Sequence, residues 1–371
     1  MIRYKRSPAC SRAGTGGYLG HQEELLDLAV FGCSLDALDA EERVAVKLAY
    51  LYAVRQGVVD EDIAQDPYDM LVESLSALPD VSVAGRLELE SWLTPRPAPG
   101  ELDRVDPALY REFIDTGGCA VICARLREYV KERVLPLRPL LVGVDHSLTG
   151  GVLDALLSGG EEPALIVLDS HFDAIPTSVR MAAVAASGTE GEPEPIEGES
   201  YNCGTWLAGV IERELVTPER VAVLGVSDHP GYESPGEGES AAFSAYRHAY
   251  LAFEESGVTV VSKKRLRLEG IRATVSDILS RIGAGPVYIS LDADIGAGEN
   301  VGAVRFLDTI GLEPAEVVEV GKALRSALDG AGAELSGMDI MEIDAHLADI
   351  PGSGDCTLEM CLAFAREMLG K

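Results

Sequence analysis

Short apolar runs alternate with helix-period stretches through the last two thirds of the chain. The runs PLLVGVD (139–145), ALIVLD (164–169), RVAVLGV (220–226), VTVVS (258–262), PVYISLD (286–292) and LSGMDIMEID (335–344) each have the length of one buried strand. Between them GTWLAGVIERELV, GIRATVSDILSRI and EPAEVVEVGKALRSAL carry apolar residues three and four apart, the spacing of a helix with one buried face. Strand and helix repeated in this way predict a three-layer α/β/α fold around a mostly parallel sheet. In such sheets a ligand site gathers at the carboxyl ends of the strands.

The first part of the chain shows a different pattern. HQEELLDLAVFGCSLDALDAEERVAVKLAYLYAVRQG keeps helical spacing, with Ser34 or Asp39 as candidate caps, and DPYDMLVESLSALPD predicts a second helix ending near Pro79. The proline- and acid-rich stretch 93–107 predicts a connector. The expected division is therefore a helical N-terminal segment, 1–92, and an α/β domain, 93–371, with packing or assembly as the segment's role. Segments 187–200 and 229–240, rich in glycine, proline and glutamate, predict surface loops or a lid.

The strand ends carry the chemistry. ALIVLD runs into Asp169, His171 and Asp173, whose alternate positions share one face in extended backbone. LLVGVD ends in Asp145 and His146, and VYISLD in Asp292 and Asp294. Carboxylates gathered at one sheet edge repel one another unless cations hold them, so the pattern predicts more than one metal ion. Carboxylate and imidazole without thiolate suit manganese, with nickel, cobalt, zinc or iron as alternatives. Two ions ~3.5–4 Å apart would activate water at neutral pH.

Cysteine usage and charge narrow the picture further. The seven cysteines form no CxxC pair, which argues against a disulfide framework and against a cysteine zinc site. A formal net charge of −30 disfavours nucleic acid and anionic membrane as partners and favours a cationic small molecule. The basic start lacks an apolar stretch behind it, which predicts a cytoplasmic protein.

Together GVDHS, DSHFD, SLDAD and LSGMDIMEID resemble the arginase and agmatinase family, the ureohydrolases, over about residues 135 to 371. The resemblance implies two Mn2+ ions. One would take His146, Asp169, Asp173 and Asp292, the other Asp169, His171, Asp292 and Asp294, with Asp169 and Asp292 bridging. It implies Asp173 and Glu342 as catalytic residues, Glu342 facing a substrate guanidinium, Asp339 in a supporting acidic position, and Asp145 behind the metal ligands, orienting His146 through its second ring nitrogen or fixing the local backbone. It also implies a homo-oligomer, a trimer or hexamer.

The resemblance has gaps. After SLDAD the family continues to another aspartate, proline and a glycine-rich loop, where this chain reads DADIGAGENVGAVRFLDTIGLEP, with Ala297 at the aspartate position. Its pocket histidine is replaced within SYNCGTWLAGV, where Asn202 and Cys203 are the candidate pocket residues and His229 a candidate substitute. The expected function is hydrolysis of a C–N bond in an agmatine-, arginine- or small-guanidine-like compound, releasing urea and an amine. The alternatives are a formimino-compound hydrolase and a metal-binding homologue without turnover.

Overall fold

In the strand Ala164–Leu168, Leu165 and Val167 pack into one apolar layer while Ala164, Ile166 and Leu168 pack into another. Burial on both faces explains why this run carries no polar alternation. The same holds along the sheet of this computed structural model, which describes residues 27–59, 63–186, 200–231, 240–296, 298, 300–308, 310–348, 350 and 352–370. Its strands are β1 (Leu28–Cys33), β2 (Val81–Leu87), β3 (Arg138–Gly143), β4 (Ala164–Leu168), β5 (Val221–Val226), β6 (Thr259–Ser262), β7 (Gly285–Asp292) and β8 (Ala333–Met341). They lie in the order β2-β1-β3-β8-β7-β4-β5-β6, and every pairing is parallel.

This order positions the site. The chain leaves β3, passes through the helix Thr149–Ser158 and enters β4, but β8 and β7 lie between the two strands. β3, β7 and β4, whose ends carry the predicted ligands, and β8, whose end leads into Glu342, are therefore consecutive neighbours at the centre of the sheet. Their carboxyl ends open onto one crevice, as expected where strand order reverses.

The N-terminal segment departs from the helical expectation. Its helices Glu41–Arg55 and Pro67–Ser76 form, the second capped by Asp66. However, LAVFGC is β1, fully buried, and VSVAGRL is the half-exposed edge strand β2. Six apolar residues in succession satisfy a helix period and a buried strand equally well, and the pairing of β1 with β3 decides for the strand. One sheet thus runs across the boundary expected at 92/93. Neither expected cap serves the first helix: Ala40 precedes it without a side-chain hydrogen bond, while Asp39 pairs with Arg111.

Ala297 and nearly all of the two acidic loops fall outside the described residues. No described helix is long and apolar enough to cross a membrane.

Candidate metal centre and substrate cavity

Three strand ends deliver the six predicted ligands to one point, and a fourth brings Glu342 beside them. His146 Nδ1 lies 3.0 Å from Asp292 Oδ2, 3.3 Å from Asp169 Oδ2 and 3.7 Å from Asp173 Oδ2. His171 Nδ1 lies 2.9 Å from Asp294 Oδ2 and 3.6 Å from Asp169 Oδ1. The six residues form two sets, His146–Asp169–Asp173–Asp292 and Asp169–His171–Asp294, with ligand atoms within 4.8 Å of one another in each. Asp169 belongs to both. Asp292, expected to bridge as well, lies only in the first set, and its Oδ1 accepts the Asp294 amide at 2.8 Å.

The donors fit metal ions. His146 Nδ1 and Asp169 Oδ2 are buried and lie 3.3 Å apart without hydrogen-bond geometry to any neighbour, an arrangement that costs energy unless a cation completes it. His146 is aimed from behind: its Nε2 meets Ser290 Oγ at 2.9 Å, and Ser290 donates to Asp339 Oδ1 at 2.7 Å. Asp339 Oδ2 accepts from Thr149 and Tyr288 at 2.8 and 3.0 Å. Asp145 does not orient His146 through its second ring nitrogen. It caps the local backbone, accepting the Ser147 amide at 3.0 Å. The indole of Trp206 packs on the His146 ring with centroids 4.5 Å apart.

Electrostatics point the same way. Burial and the adjacent Asp169 push the Asp173 carboxyl well above its usual pKa, and burial with Asp294 and Asp169 does the same to Asp292. Burial opposes charge on His146 and His171, yet the surrounding carboxylates overcome it and raise both imidazoles. Burial likewise opposes charge on Asp169, but His146 and His171 hold it below the usual range. Divalent ions would relieve this crowding of carboxylates, and two imidazoles with four carboxylates suit manganese-like ions.

Glu342 ends β8 at φ 63, a left-handed conformation that a glutamate adopts only under constraint. Its amide donates to Val144 O at 3.0 Å and its carbonyl accepts from Arg305 N at 2.9 Å. The carboxylate was expected to stand open to a guanidinium from the substrate. It already holds one from the protein, because Arg305 Nη1 reaches Oε1 and Oε2 at 2.9 and 3.0 Å, and the His146 amide donates to Oε1 at 2.8 Å. Burial pushes the Glu342 pKa up to about 7, against the pull of Arg305.

A cavity of about 720 Å³ reaches this centre, lined by His171, Asp173, Asp292, Asp294 and Glu342 at the site and by Arg180 and Cys203 beside them. Burial, Asp145 and Glu342 raise the Cys203 thiol well above its usual pKa, so the sulfur stays protonated and lines the wall. Asn202 also lines the cavity, with its side chain engaged in its own loop: Oδ1 accepts Gly204 N at 2.9 Å and Nδ2 donates to Ser200 O at 3.2 Å. His229 takes no place in this wall. It lies against Glu254 at 3.4 Å and packs on Tyr250. Sequence reasoning missed Ser290, Arg180 and Arg305. Ser290 was findable, being two residues before Asp292 and thus on the same face of β7. No sequence signal marks Arg305, whose partners come from distant parts of the chain.

The sequence profile of the arginase family matches residues 90–369. The chain belongs to the arginase family. Among curated relatives it is 23% identical to the mitochondrial agmatinase of Gallus gallus over 62% of this chain and 57% of that protein. It is 24% identical to the guanidinopropionase of Pseudomonas aeruginosa over 55% of this chain and 52% of that one. The match thus spans about half the length of these arginase-family relatives. Two solved structures share the fold. The arginase of Bacillus cereus aligns with a TM-score of 0.56 and 16% identity, covering 92% of this chain and 98% of that one. The formimidoylglutamase of Bacillus subtilis aligns at 0.52 and 14%, covering 97% and 95%.

Proposed function

We propose that this arginase-family chain is a binuclear manganese hydrolase that cleaves a C–N bond of a guanidino compound, releasing urea and an amine. What supports the reading is the pair of ligand sets sharing Asp169, four of whose members line the cavity, with His146 Nδ1 and Asp169 Oδ2 left without a hydrogen bond. His146, Asp169, Asp173 and Asp292 would hold one ion; Asp169, His171 and Asp294, with Asp292 moving to bridge, would hold the other. Such ions supply an activated water and neutralise charge on the amidino group. Asp173 accepts the proton of the attacking water at a carboxylate oxygen and returns it to the leaving amine nitrogen. Glu342 Oε2 orients the planar amidino group over the centre.

Arg180 gives the reading its substrate tail. It lines the cavity with its side chain 28% exposed; Nη2 donates to Phe172 O at 2.9 Å and Nε is buried without a partner. A guanidinium with donors to spare in the pocket wall favours a tail ending in a carboxylate. Guanidinopropionase, among the relatives, is named for a substrate of that kind.

A second reading, hydrolysis of a formimino compound, draws on the Arg305 contact. Glu342 already gives acceptor capacity to Arg305, and a formimino group has fewer N–H donors to satisfy than a guanidine. A panel of guanidines with acidic, neutral and cationic tails, together with a formimino amino acid, separates the readings on manganese-loaded protein. Urea from the acid-tailed guanidines supports the first reading, formamide or ammonia from the formimino compound supports the second, and no product from any of them refutes both.

A further inference from the structure

The segment before residue 90 lies outside the family match, yet its side chains contact Arg305, which holds Glu342 at the site. The helix Glu41–Arg55 presents Arg43 and Lys47, four residues apart and so on one face. Lys47 is 3% exposed; its Nζ lies 3.0 Å from Asp36 Oδ2 and 3.3 Å from the Tyr110 hydroxyl. Asp36 sits on the turn between β1 and that helix, and its other oxygen, Oδ1, lies 3.2 Å from Arg305 Nε. Arg305 is 3% exposed, and through Nη1 it meets Glu342, Val144 O at 3.2 Å and Asp145 at 3.5 Å. Arg43 donates to the Arg305 carbonyl and pairs with Asp344, fixing the backbone on both sides of the contact.

We propose that the N-terminal segment is a working part of the site, in which Lys47 and Asp36 hold Arg305 and Arg305 aims the Glu342 carboxylate into the cavity. Lys47, Asp36 and Arg305 are positioning residues, because none of the three lines the substrate cavity. The chain alternates in sign at each step, and each member is buried, so no water competes for the contacts. Arg305 faces two separate carboxylates: Nε lies in ion-pair range of Asp36, and Nη1 hydrogen-bonds Glu342. A buried carboxylate without this hold has several rotamers open to it, and a planar cation bound by two parallel hydrogen bonds tolerates little rotation. The same turn supplies Ala37, Leu38, Asp39 and Ala40 to the cavity wall, so the segment shapes the space around the substrate as well. This inference rests on the hydrolase reading for its kinetic consequences, while its structural consequence stands alone.

The test uses the full manganese-loaded chain with Lys47→Met and Asp36→Asn, which keep size while removing charge, and Arg305→Lys beside Arg305→Met. The probe is 3-guanidinopropionate, with urea release as the readout. Lys47→Met and Asp36→Asn should raise KM about tenfold, the effect of losing one charge-assisted hydrogen bond, with bound manganese unchanged. Arg305→Lys should recover part of the activity lost in Arg305→Met, a rescue that packing alone would not give. Crystal structures of the unaltered protein and the Asp36→Asn variant supply a readout free of any substrate. Glu342 should rotate away from its position beside the His146 amide only in the variant. Unchanged KM in both charge-removing variants, or an unmoved Glu342 in the Asp36→Asn crystal, overturns the proposal. If the unaltered protein hydrolyses no guanidine, the hydrolase reading falls and the two crystal structures alone decide the positioning role.

Discussion

Ser290→Ala removes one hydroxyl that joins His146 to Asp339 and leaves every proposed metal ligand in place. In the parent structure Ser290 Oγ meets His146 Nε2 at 2.9 Å and donates to Asp339 Oδ1 at 2.7 Å, and Ser290 and His146 are fully buried. Two buried polar atoms therefore lose their partner at once, while Asp339 Oδ2 keeps Thr149 and Tyr288. At ~1–2 kcal/mol for each orphaned group, the metal-free protein should lose about 2–4 kcal/mol of stability. The loss should appear as a lower urea midpoint at constant slope. The imidazole would also be free to turn, and the loss of such an outer partner lowers metal affinity by ~10–100-fold. Calorimetric titration with Mn2+ reads the second effect, and it should fall on one of two binding steps, because His171 does not contact Ser290. An unchanged manganese affinity at both steps would refute the assignment of His146 as a ligand held through Ser290. An unchanged urea midpoint would refute the hydrogen-bond network itself.

Asp169→Asn should empty both metal positions and His171→Ala only one, measured as manganese per chain after desalting, since Asp169 alone is common to the two ligand sets. Glu342→Gln should keep both ions and lose turnover by ~100-fold or more, the scale of an interaction made to the charged transition state. Full activity with normal metal would remove Glu342 from the mechanism. Arg180→Met should raise KM for 3-guanidinopropionate by at least ~10-fold while leaving a cationic-tailed guanidine such as agmatine unaffected or improved. An equal effect on both would assign Arg180 to the structure around Asp173, which it approaches at 3.9 Å.

Most of the candidate metal cluster was legible because each of its residues follows an apolar run closely. A buried strand that ends in Asp-x-His-x-Asp sets three ligating groups side by side, and the parallel order then gathers four strand ends without any side-chain information. The charge chain through Arg305 was not legible. Lys47, Asp36, Arg305 and Glu342 come from four separate places, each ordinary in its own local pattern, and only the sheet order brings them together. β1 was hidden for a related reason: six buried residues are too short to separate a strand from a helix turn by spacing, and a true helix follows after only seven more residues. Asp145 shows the limit at single-residue scale. A carboxylate before a ligand histidine could orient the ring or fix the local backbone, and only the turn geometry, which directs it to the Ser147 amide, selects the second.

Anomalous diffraction at the manganese edge, from crystals of the full chain grown with Mn2+, tests the central claim most directly. The account predicts two peaks ~3.5–4 Å apart, one beside His146 and one beside His171, with Asp169 between them. A single peak at this cluster, or none, would contradict it.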